Sequence, residues 1–137
     1  MNRNDLINLS RTRLHEARAL LKSGHYSGSY YLCGYIIECG LKACIAKNTK
    51  KYDFPDKNIV KKSYSHDLEK LVRIAGLELD LNNEIKKDQT FGINWAVVKD
   101  WSENSRYRMY DKKSAQDIYS AIVNRNHGVL KWIKQHW

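Results

Sequence analysis

Proline is nearly absent from this chain: Pro55 stands alone among 137 residues, accompanied by seven glycines. That scarcity excludes collagen-like and linker-rich architectures. No apolar run approaches the roughly 18–20 residues that a membrane span requires, so no membrane attachment is expected. The opening stretch MNRNDLINLSRTR contains no apolar secretory segment, which predicts a cytoplasmic protein. Cysteine is scarce too, with Cys33, Cys39 and Cys44 in one short segment and no CxxC pair. An odd number at that spacing argues against a disulfide framework or a zinc site and predicts reduced, buried thiols. Acidic residues are the minority, 15 against 24 Lys and Arg, for a formal charge of +9. Such an excess favours polyanionic partners such as RNA or nucleotides. It is concentrated between Lys42 and Lys62, where seven lysines face only Asp53 and Asp56. No P-loop, GxGxxG, HExxH or Ser–His–Asp order occurs, so neither a metal nor an organic cofactor is expected.

Helical periodicity runs through what is present. Leu6, Leu9, Leu14, Ala17, Leu20 and Leu21 share one arc at about 100° per residue, predicting a first helix from Asn4 or Asp5 to Gly24. Arg11, His15, Arg18 and Lys22 form a basic stripe on its other side, while Arg13 projects into the apolar arc. A second helix, Ser27 to Asn48, is apolar nearly all round and therefore belongs in the middle of a bundle. Gly34 and Gly40 weaken it unless neighbouring helices pack close at those points. Glu38 lies inside this apolar helix and must find a cation; Arg13 and Arg106 are the candidate partners, with Lys42 as an i,i+4 option. Arg13 and Glu38 are thus expected to be buried structural polar residues. A lysine-rich loop is predicted over 49–65, then short helices at 65–75, 79–87 and 95–101. The last helix is predicted as continuous from Ser114 to Ile133, with Ser114 and Asp117 as a capping box and Gly128 weakening its middle. No segment alternates as a strand does. The fold class is all-α, an antiparallel bundle of four or five helices in a single domain over 1–137.

Three segments in order carry a family pattern. The first is ARALLKSGHYSGSYYLCGYIIECGLK from Ala17 to Lys42, with its GYxxExxLK core; the second is HDLEKL from His66; the third is WSENSRY from Trp101. Together they resemble the HEPN domain family (higher eukaryotes and prokaryotes nucleotide-binding) over most of the chain. The resemblance implies a bundle of four or five helices, commonly a homodimer. It implies binding or cutting of RNA, or service as the partner of a nucleotidyltransferase in a two-gene system of toxin–antitoxin or defence type.

Many family members are metal-independent ribonucleases that use Arg, four to six residues, then His. Arginines hold the scissile phosphate and histidines move protons to and from the reacting oxygens. Here Arg106 of the SRY tripeptide is followed in that window by Asp111, Lys112 and Lys113, and Arg108 by Lys113, Ser114 and Ala115. The pair Arg18 and His25 has the spacing but sits at the end of the first helix, the wrong place for the motif. The expectation is a non-catalytic module that binds RNA or a nucleotide through Arg106, Tyr107, Arg108, Lys50, Lys51, Lys61 and Lys62, the tyrosine supplying a stacking surface. The competing expectations are a divergent ribonuclease with His66 or Arg106 in its site, and a purely structural dimerisation module.

Overall fold

The computed structural model describes residues 1–50 and 57–137, with Lys50 in backbone only. Eight α-helices and one 3-10 turn, and no strand, occur among the described residues. They are α1 (Arg3–Lys22), α2 (Tyr26–Lys50), α3 (Lys57–Lys62), α4 (Leu68–Ile74), α5 (Glu78–Lys87), α6 (Gln89–Lys99), the 3-10 turn (Glu103–Tyr107), α7 (Lys112–Val123) and α8 (Val129–Lys134). The all-α bundle is the expected class, with five helices of ten residues or more.

Local chemistry explains most boundaries. Asn2 caps α1: its Oδ1 accepts from Asp5 N at 2.8 Å, and Asp5 Oδ2 accepts from Asn2 N at 3.1 Å. The cap therefore sits two residues before the predicted Asn4, because Asn2 and Asp5 have the spacing for that reciprocal pair. Gly24 and Gly76, at φ of 80° and 73°, end α1 and the α4 segment in the left-handed conformation that glycine adopts without strain. Asp67, rather than Ser65 or His66, caps α4 by accepting from Lys70 N at 3.1 Å. The predicted 49–65 loop contains α3.

α2 is the central helix, packing against α1, α4, α7, α8 and the 3-10 turn. Its Ile36, Ile37 and Leu41 are fully buried with Leu71, Ile118, Ile122 and Ile133 in one contiguous core cluster. Each such side chain contributes about 1.5–3 kcal/mol by leaving water. α1 lies close to α2 through small residues: Ser10 Oγ donates to Ile36 O at 2.7 Å and Ser29 Oγ to Ala17 O at 2.8 Å. The two glycines of α2 mark the predicted close approaches. A Cβ on Gly40 would stand 2.9 Å from Ile133 Cγ2, and one on Gly34 would stand 1.9 Å from the Trp101 ring.

The last predicted helix is broken in two. Asp111 caps α7 by accepting from Ser114 N at 2.8 Å, so Ser114 is inside the helix, and Asp117 pairs with Lys113 rather than closing a capping box. α7 stops at Val123 because Asn124 turns the chain, its Oδ1 accepting from Asn126 N and His127 N at 3.0 and 2.8 Å. Gly128 then begins α8 where a Cβ would meet Asn124 O at 2.4 Å, so the glycine is required by a turn rather than tolerated in a helix. His127 closes the corner, its Nδ1 lying 2.6 Å from Asp88 Oδ2 at the α6 N-terminus. His136 likewise has a partner, with Nε2 at 3.2 Å from Asp80 Oδ1.

Gly34→Ala is expected to destabilise the protein by about 3 kcal/mol, because the rigid buried indole must move. Helix propensity alone would stabilise it by about 1 kcal/mol, so a chemical denaturation curve gives the sign directly. The thiols yield a second prediction. Burial pushes Cys33 and Cys44 up to about 12 and Cys39 up to about 11. Native protein at pH 8 should therefore label slowly with iodoacetamide, and all three cysteines should react readily in denaturant.

Candidate functional site

The polar centre of the molecule forms where α2, the start of α4 and the 3-10 turn meet. Trp101 sets the geometry: its ring fills the Gly34 notch and its Nε1 donates to Tyr31 O at 3.1 Å. Ser102 then starts the 3-10 turn by accepting from Asn104 N. Across from it, Glu38 is 4% exposed on α2. His66 lies between the two acids, Nδ1 at 2.6 Å from Glu38 Oε1 and Nε2 at 3.2 Å from Glu103 Oε2. Lys42 Nζ completes the cluster at 3.3 Å from Glu38 Oε2.

The partners of Glu38 are therefore His66 and Lys42, not Arg13 or Arg106. Arg13 pairs with Glu16 one turn along α1 and keeps a route to water, with about a third of its side chain exposed. It is not a buried residue, because the arc it occupies borders an open groove rather than the core. That groove, about 1090 Å³ between α1, α2 and α3, is lined by Leu6, Leu9, Arg13, Tyr31, Tyr35, Lys42 and Ile59 among others. Tyr31 and Tyr35 share a hydroxyl contact of 3.1 Å, and Tyr35 packs edge-on against both Trp101 and His66. Burial first, and then the bond to Tyr31, raises the Tyr35 phenol, so it is a neutral hydrogen-bonding group and no base.

Chemically, the cluster is closed on itself. Both ring nitrogens of His66 face carboxylate oxygens, Nδ1 hydrogen-bonded to Glu38 and Nε2 within ion-pairing distance of Glu103. Among the described residues no three His, Cys, Asp or Glu side chains could hold a metal ion.

Arg106 emerges on the solvent side of the same turn. Its guanidinium stacks over the Tyr107 ring at 4.8 Å, and Tyr107 is 77% exposed. The neighbouring Tyr107, and less strongly Glu103, raise the pKa of Arg106, which keeps it charged throughout the physiological range. Arg108 and Met109 follow, both exposed, and Tyr110 turns inward to stack on Tyr30 at 3.7 Å. Tyr110 is thus a packing residue, while Tyr107 stays exposed with Arg106 over one face of its ring. Lys61 and Lys62 are exposed at the end of α3, and Lys62 shares a shallow cleft with Lys70 and Arg73. The Lys50 side chain and Lys51 lie outside the described residues. Glu103 is the residue that sequence reasoning missed; its signal was only the two-residue spacing from Trp101, which means nothing until the turn is built.

The three segments that met at this centre belong together in a known pattern. A family model described as HEPN domain matches residues 4–136. The chain belongs to the HEPN domain family. No curated protein and no solved structure matches it. The HEPN family is one of nucleotide- and RNA-related helical modules, and in this member Glu38 of GYxxExxLK, His66 of HDLEKL and Glu103 of WSENSRY form one polar cluster.

Glu38→Ala is expected to cost about 1–3 kcal/mol, since it strips a carboxylate from His66 and Lys42 while leaving both within reach of water. A stranded fully buried arginine would cost about 3–5 kcal/mol. Urea unfolding of the variant distinguishes the two figures.

Proposed function

We propose that this HEPN protein is a non-catalytic module of one domain that binds single-stranded RNA. The observation that carries the reading is the engagement of His66 by Glu38 and Glu103 on one side of the 3-10 turn, with Arg106, Tyr107 and Arg108 open on the other. The arginines offer fork-shaped donors for phosphate oxygens, and the exposed phenol ring offers a face for a base. Lys57, Lys61 and Lys62 extend the positive surface. Holding without cutting follows from the chemistry at the turn: a strand docked at Arg106 finds an anchored charge there, while the neighbouring imidazole, His66, is engaged by Glu38 and Glu103.

The biological setting we propose is a cytoplasmic homodimer working beside a nucleotidyltransferase partner in a two-gene system of toxin–antitoxin or defence type. Family membership supports that setting; the side chains themselves speak only to the RNA. The ribonuclease reading requires His66 to leave Glu103, so it predicts cleavage that vanishes in His66→Ala.

Fluorescence anisotropy with a labelled oligouridylate tests the proposal. Binding should be tight at about 50 mM salt and fall steeply towards about 200 mM as phosphate contacts release counterions. Tyr107→Ala should weaken it about tenfold, the loss of one base stack. The same RNA incubated with excess protein in EDTA should stay intact. Absence of binding at low salt, or cleavage abolished by both His66→Ala and Arg106→Ala, overturns the proposal.

A further inference from the structure

The cations of this surface divide into two kinds. Arg13, Lys42, Lys99 and Lys113 each have a carboxylate within ion-pairing distance. The α1 stripe does not. Arg11, His15, Arg18 and Lys22 are all exposed, and none of them has a carboxylate partner among the described residues. The two acids of α1 are committed elsewhere, Asp5 to the capping box and Glu16 to Arg13. At 100° per residue both point more than a quarter turn away from the stripe. The four side chains are about 6, 4.5 and 6 Å apart along the axis, which is the scale of successive phosphates in a strand.

Rigidity and continuity add to this. Ser10 and Ser29 clamp α1 to α2, so the ridge is held straight before any ligand arrives. Arg11 lies 5.8 Å over the Trp137 ring, which fixes one guanidinium in place. At the other end, Tyr110 N donates to Ser27 Oγ at 2.8 Å. The strap that follows Arg106 and Arg108 is thereby pinned at the α1–α2 turn, the end of the hairpin where Lys22 closes the ridge.

We propose that the α1 ridge of Arg11, His15, Arg18 and Lys22 is a second phosphate track, along which a single RNA strand leaving the 3-10 turn continues. This rests on the RNA-binding reading above and extends it from the 3-10 turn to the exposed face of α1. Phosphate contacts of this kind add affinity and salt dependence without sequence preference.

The test is the salt dependence of oligouridylate binding in four proteins: wild type, Arg106→Gln with Arg108→Gln, Arg11→Gln with Arg18→Gln and Lys22→Gln, and a charge-matched control of Lys86→Gln with Lys87→Gln and Lys131→Gln. Circular dichroism checks that each is folded. The ridge variant should lose at least tenfold in affinity at about 50 mM salt, with a log–log slope shallower by about two, as expected for three lost contacts to a single strand. The control should keep the wild-type slope. An unchanged slope in the ridge variant, or an equal drop in the control, overturns the ridge while leaving the 3-10 site standing. Loss of binding in the Arg106/Arg108 variant alone has the same meaning. If the wild type fails to bind, the RNA reading and the ridge fall together.

Discussion

The seating of Trp101 in the notch at Gly34 is the contact on which the arrangement of this molecule depends. A helix as apolar as α2 would pack in several registers against its neighbours, since burial alone is non-directional. The missing Cβ at Gly34 and the bond from Trp101 Nε1 to Tyr31 O select one. Everything polar follows from it. The 3-10 turn starts at the residue after Ser102, which places Glu103 over His66 and sends Arg106 outward. A glycine that weakens its own helix by about 1 kcal/mol thus specifies where the chain's chemistry is displayed.

The Glu38–His66–Glu103 cluster is a polar network set against an apolar helix, and such networks stabilise only when each member is satisfied. Here the buried carboxylate meets both Lys42 and His66, and the other ring nitrogen of His66 lies within ion-pairing distance of Glu103. The same device recurs at the α6 N-terminus, where His127 meets Asp88, which is held below the usual carboxylate range chiefly by that bond. Histidine in this fold is used to join elements distant in sequence.

Charge is distributed with a corresponding logic. Four cations, Arg13, Lys42, Lys99 and Lys113, have carboxylate partners, most of them exposed pairs that contribute little, while the α1 ridge and the surface of the 3-10 turn carry cations without a carboxylate partner among the described residues. A net charge of +9 that is locally uncompensated works against the compact state by self-repulsion, and the family's association with RNA and nucleotides gives that repulsion a purpose.

Amphipathic periodicity was enough to locate α1 and α2, the centrality of α2 and the burial of Glu38, because each depends on side-chain spacing within one segment. Gly24 was legible as the end of the first helix because it follows the last apolar turn. Pairing was not. That Glu38 answers to His66 rather than to Arg13 or Arg106, and that Asn124 and Gly128 break the last helix, depend on distances between segments far apart in the chain. Spacing along one helix determined which residues had to be buried; only the closure of the 3-10 turn onto α2 decided which charges met there and which were left facing water.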